Sequence, residues 1–150
     1  MNDYYEGQLL RMDGLIEATV PITVCNGDTC TSIVGLVDTG CHYTMISLRD
    51  GADIGFQPPT KKSEKIIIKS ANGGVIICVK IKAKIQIGGI IRPGYKLFWC
   101  QDARVKRNYI GMDFFDKYKL TINIKRNKIF ISDNTKCVGC IKKDAKRRAK

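Results

Sequence analysis

The chain has 150 residues, 44% of them hydrophobic and 27% charged, with a net charge of +12. That length suits one domain of ordinary globular composition and excludes wholesale disorder. The most apolar stretch, Ile76 to Ile91, is interrupted by Lys80, Lys82 and Lys84, which excludes a membrane-spanning helix.

Hydrophobic periodicity of two dominates the chain. Ile16, Ala18, Val20, Ile22 and Val24 alternate with Glu17, Thr19, Pro21 and Thr23, which predicts a half-buried strand over Leu15–Cys25. Asn26-Gly27 is expected to supply the positive-φ residues of a tight turn. The return strand, Cys30–Val37, ends in the apolar run Ile33-Val34-Gly35-Leu36-Val37. A further strand is predicted over Glu64–Lys69, and Ala71-Asn72-Gly73-Gly74 reads as a hairpin turn. Ile77, Val79, Ile81, Ala83, Ile85 and Ile87 alternate with Cys78, Lys80, Lys82, Lys84 and Gln86, a clear strand signature. Lys96–Cys100 reads as a short apolar strand. Met112–Tyr118 lacks a β-branched run, so one or two helical turns are expected there. Leu120–Ile124 and Lys128–Ile131 are expected to form a last hairpin around Arg126-Asn127. The sum is an all-β chain, a small closed barrel or sandwich with one short helix near its C-terminal end.

Charge and cysteines are distributed unevenly. Residues 136–150 hold seven Lys and Arg against Asp144 alone, so they read as a solvated basic tail that offers weak, long-range attraction for nucleic acid. Met1–Glu6 offers neither a basic run nor an apolar one, and no signal peptide is expected. Seven cysteines with no export signal point to reduced thiols in the cytoplasm. Cys25 and Cys30 can face each other across a hairpin, and packing as small hydrophobes is the expectation for them. Cys137-Val-Gly-Cys140 has half the spacing of a zinc site but lacks a second pair, and His42 is the only histidine; no metal site is expected.

The chemistry-bearing segment is Val37-Asp38-Thr39-Gly40-Cys41, an ionisable residue at the end of a buried run. A lone carboxylate is costly to bury unless it is paired or protonated. The glycine two places on permits close backbone approach, and Thr39 can orient the carboxylate. The tripeptide alone arises by chance in about one chain of this length in forty, and a turn at a strand end would also explain it. Its context is more telling. Downstream lies Asn108-Tyr109-Ile110-Gly111-Met112-Asp113, a strand running through glycine into the short helix, and between the two landmarks sits the glycine-tipped hairpin.

This order resembles the retroviral-type aspartic proteases (retropepsins) over about residues 14–132. The resemblance divides the chain into an N-terminal extension (1–13), a retropepsin-like domain (14–135) and the basic tail (136–150). It implies a closed β fold acting as a homodimer on a polypeptide, without a cofactor or membrane attachment. Asp38 would be the catalytic residue, with Thr39 and Gly40 completing the motif. Cys41, His42 and the flap residues Asn72, Gly73 and Gly74 would contact substrate, and Gly111 would pack behind the loop. One carboxylate per chain suffices if a symmetric dimer supplies the second.

The chain also departs from that pattern. Cys41 stands where Ala or Ser is usual, His42 and Tyr43 stand where some viral members carry acids, and Met112 replaces an arginine. Asp113 reads as a helix N-terminal residue favoured by the dipole. Trp99, Phe114, Phe115 and Tyr118 read as core. Two other functional classes remain open at this level. One is a catalytically inactive retropepsin-like module for dimerisation or peptide binding. The other is a basic nucleic-acid-binding barrel, for which 12 aromatics, mostly in apolar runs, make a poor stacking surface.

Overall fold

The computed structural model describes residues 4–61, 65–69 and 73–133. In chain order the elements are β1 (Tyr4–Gln8), β2 (Leu10–Met12), β3 (Leu15–Glu17), β4 (Thr19–Asn26), β5 (Thr29–Val37) and β6 (Met45–Ile46). Then come α1 (Leu48–Ile54), β7 (Lys65–Lys69), β8 (Val75–Ile87), β9 (Ile90–Cys100) and β10 (Asn108–Ile110). The short helix α2 (Met112–Phe115), β11 (Tyr118–Asn123) and β12 (Lys128–Asp133) complete the described chain. The strand order β4-β5-β10-β6-β9-β8 closes on itself through β4–β8 pairing, and β7 lies outside it on β8. The result is a six-stranded closed barrel, which removes the exposed edges an open sheet would present. A second sheet, β1-β12-β11, and the small β2–β3 hairpin flank it.

Alternation in sequence becomes inside and outside in the barrel. On β4, Val20, Ile22 and Val24 are buried; on β8, Val79, Ala83, Ile85 and Ile87 face in while Lys80, Lys82 and Lys84 keep to the outer face. They pack with Leu97, Trp99, Ile110, Phe114, Ile129 and Ile131 in one cluster. Each fully buried aliphatic side chain contributes about 1.5–3 kcal/mol by transfer from water. Trp99, Phe114 and Tyr118 are buried here, as expected from the sequence. Among the described residues no helix is long and apolar enough to cross a membrane.

Several local expectations are corrected. The predicted strand Leu15–Cys25 divides at Ala18: β3 pairs with β2, whereas β4 pairs with β5 and β8. The turn between β4 and β5 is Gly27-Asp28, and only Gly27 takes a positive φ, of 59°. Asn26 stays in the strand, opposite Thr29, and its side-chain amide donates to the Gly55 carbonyl at 3.0 Å. Cys25 and Cys30 face each other directly across that hairpin and form a disulfide, which replaces the thiol packing expected of them. β9 begins at Ile90, well before the strand predicted from Lys96. It accommodates Pro93-Gly94 in a bulge, because two steps along β8 (Ala83 to Ile85) match three along β9 (Tyr95 to Arg92).

Among the described residues there are two helices where one was expected. In α1 the Ser47 hydroxyl accepts from the Asp50 amide and Gly55 closes the C-terminal end. α2 ends at Phe115, and Tyr118, predicted as helical, already begins β11. Tyr4–Gln8, assigned by sequence to the extension, pairs along its whole length with β12. Asn72, Cys137, Cys140 and the basic tail lie outside the described residues.

Candidate active site

The site is built at the end of a parallel pair. β5 and β10 run side by side with Val37 opposite Ile110, and the Asp38 amide continues the ladder to the Ile110 carbonyl at 3.0 Å. The two chains therefore leave the barrel together, one into Asp38-Thr39-Gly40 and the other into Gly111 and α2. Asp38 is half-buried and Thr39 is exposed. The Asp38 carboxylate accepts from the Gly40 amide at 2.9 Å, and the Cys41 amide donates to the Asp38 carbonyl at 3.1 Å. A Cβ on residue 40 would lie 3.2 Å from the Asp38 carboxylate oxygen. The backbone at Gly40 takes no positive φ, so what the glycine supplies is room: a side chain there would make the carboxylate give by a few tenths of an ångström.

The loop is then clamped from behind. The Met112 amide donates to the Cys41 carbonyl at 2.8 Å and the Asp113 amide to that of His42 at 3.0 Å. These bonds satisfy N–H groups that the first turn of a helix leaves unpaired. The Asp113 carboxylate accepts from the Thr44 amide at 3.1 Å and from the Thr44 hydroxyl at 2.8 Å, and that hydroxyl in turn accepts from the Gly111 amide at 3.3 Å. Asp113 thus sits at the helix start, as the sequence suggested, and also pins the far end of the loop. Gly111 has no room for a side chain: a Cβ would lie 2.5 Å from the Tyr43 carbonyl oxygen and 2.8 Å from that of Cys41. Half-buried Tyr95 has its phenol pushed up by burial and then by the Asp113 charge.

A cavity of about 900 Å³ opens above this loop. Asp38, Gly40, Cys41 and His42 line one side of it, together with Tyr43 and Met45. The β7–β8 hairpin supplies Ile67, Ile68, Lys69 and Ile76, and the segment before β10 supplies Arg104, Val105, Lys106, Arg107 and Tyr109. Four of the predicted site residues are therefore brought together. Thr39 lies on the same loop; Gly73 and Gly74 sit at the end of the hairpin and are not among its described lining residues.

Sequence reasoning missed the 104–107 segment, whose Arg-Val-Lys-Arg before a strand ending in glycine was the available sign. It also missed Asn108. This buried amide donates to the Val34 carbonyl at 3.1 Å and to Asp50 at 2.7 Å, and accepts from the Ser47 amide at 2.8 Å, tying α1 to the barrel.

The charges around the cavity have distinct fates. Arg104 pairs with Asp102 at 2.8 Å and holds that carboxyl down at about 2, and Arg107 makes a two-pronged pair with Glu17, lowering it too. Burial pushes the Cys41 thiol up, and its Sγ donates to the Tyr43 carbonyl at 3.1 Å. Beneath the hairpin, the buried thiols of Cys78 and Cys100 lie 3.8 Å apart, and that contact together with burial pushes Cys78 up.

A carboxylate on a clamped loop thus shares a cleft with the β7–β8 hairpin. A family model described as aspartyl protease matches residues 20–114, and the chain belongs to that family. Its fold is retropepsin-like. A retropepsin-like aspartic protease from Rickettsia conorii superposes with a TM-score of 0.63 at 19% identity, over 85% of this chain and 97% of that one. The retroviral protease-like domain of Ddi1 from Leishmania major gives 0.54 at 15% identity, over 78% and 93%. The EIAV protease complexed with the inhibitor HBY-793 gives 0.52 at 12%, over 71% and 92%. No curated protein sequence matches significantly.

Proposed function

We propose that the protein is a homodimeric aspartic endopeptidase in which Asp38 and its symmetry mate activate one water. The observation that carries this reading is Asp38 itself, the only carboxylate among the described residues lining the cavity. Its chemistry needs a second carboxylate, which a two-fold axis supplies from an identical loop. Two carboxylates so placed hold a single proton between them. One takes a proton from water as the water oxygen adds to the peptide carbonyl carbon; the other gives its proton to the carbonyl oxygen. Collapse of the tetrahedral adduct breaks the C–N bond, and the amine nitrogen leaves protonated. Thr39, exposed beside Asp38, meets its counterpart across the axis. The β7–β8 hairpin covers bound peptide as a flap, with Gly73 and Gly74 near its tip, and excludes bulk water during the step.

Asp38→Asn is the direct test. It keeps the shape but removes the base and the shared proton, so peptide cleavage should fall by about 10³-fold or more while sedimentation and thermal melting stay unchanged. Cleavage at the wild-type rate by this variant would end the proposal. A wild-type protein that binds peptides and cleaves none would mark an inactive module instead.

A further inference from the structure

We propose that this cleft selects peptides carrying an acidic side chain within two positions of an apolar one. The inference extends the endopeptidase reading by naming the substrate class. Four cationic side chains line the cavity, Lys69, Arg104, Lys106 and Arg107, against the single carboxylate of Asp38. Arg104 and Arg107 are already neutralised by Asp102 and Glu17. Lys69 and Lys106 are both exposed, and among the described residues neither has an acidic partner. Lys69 lies on the hairpin and Lys106 on the segment before β10, so an extended peptide in the cavity meets a cation from each of these two elements.

The floor between these lysines is apolar. Met45, Ile68, Ile76 and Val105 belong to one cluster beneath the hairpin and reach the cavity wall. In an extended peptide successive side chains point to opposite faces, so an apolar residue can seat on the floor while its neighbour's carboxylate reaches the rim. A carboxylate there gains two cations that carry no acidic partner among the described residues; a cationic side chain meets the same rim as repulsion, which is discrimination by like charge. The molecule's net +12 draws acidic chains toward the cleft in addition.

The test uses full-length Asp38→Asn protein, so that binding is read without cleavage. Two labelled peptides are compared that differ only in Glu against Gln beside an apolar residue. The Glu peptide should bind about 3- to 10-fold more tightly, and the difference should shrink as salt rises. Adding Lys69→Glu and Lys106→Glu should abolish or invert the preference. Equal affinity for the two peptides overturns the inference, as does a preference that survives both charge reversals. Tighter capture of a single-stranded oligonucleotide of equal length also overturns it, since phosphate would then be the ligand. Should the reversed variant fail to fold, the salt dependence in the Asp38→Asn protein decides alone. Wild-type protein that discriminates in binding yet cleaves neither peptide retains this inference and discards the hydrolase reading.

Discussion

The two walls of the cleft are held in opposite ways. The Asp38 loop is fixed by backbone and side-chain hydrogen bonds from Gly111, Met112 and Asp113, and the residues behind it leave no space. The β7–β8 hairpin is rooted in the barrel where β8 pairs with β9 from Cys78 on, but its outer part is a two-stranded ribbon: among the described residues β7 pairs with β8 alone, and Ile67, Val75 and Ile77 are 66%, 52% and 43% exposed. The outer end of such a ribbon, with one exposed face, opens at smaller free-energy cost than a clamped loop, which moves only if the barrel deforms. One wall can thus keep a carboxylate in place while the other is free to move. The difference lies in where the hydrogen bonds go rather than in the strand content of either region.

The same mutation at one glycine in each wall measures that difference. Gly111→Ala forces a methyl group against the Tyr43 and Cys41 carbonyls, backbone atoms that cannot rotate away. A loss of about 2–4 kcal/mol in urea unfolding is expected, with activity falling because the Asp38 loop shifts. At Gly73 φ is +83° and a methyl group would find nothing within 4 Å, so substitution there meets only the backbone preference. Gly73→Ala should cost about 1 kcal/mol and slow turnover by more than that loss explains. Equal stability losses at the two positions would remove the contrast; equal losses of stability and turnover at Gly73 would make the hairpin a structural element only.

Much of this was legible in the sequence, for definable reasons. Strands with one wet face carry a period of two, so β4, β5 and β8 could be read from Val20, Ile22, Val24 and the alternating lysines. Asp-Thr-Gly and Ile-Gly, far apart in sequence, marked where the two strands of the parallel pair leave the barrel together. What escaped depends on tertiary closure. α1 contains Gly51 and two aspartates, poor helix formers, and stands because Ser47 caps it and Asn108 holds Asp50; only the Ser47–Asp50 spacing and Gly55 announced it. The basic rim escaped for a similar reason. Arg104, Lys106 and Arg107 look like a solvated loop until β10 aligns beside β5 and turns that loop toward Asp38.

The smallest expected effect lies where the two walls meet, at Cys41. Its thiol is half-buried between the Asp38 loop and the apolar cluster beneath the hairpin, and its pKa is raised, first by burial and then by the charge of Asp38. A raised pKa leaves less thiolate at neutral and mildly alkaline pH, and the thiolate is the reactive form. Alkylation of Cys41 by a small haloacetamide, followed by peptide mass spectrometry, should therefore be slower than that of a free cysteine peptide at pH about 8 and should accelerate above the ordinary thiol range near about 8.5. Covering the cleft with a bound peptide should slow it further, since hairpin and peptide together close the approach. A rate equal to the free peptide's would mean that the thiol is more open than its surroundings indicate. A rate unaffected by bound peptide would place Cys41 on the clamped wall alone, out of reach of whatever the hairpin does.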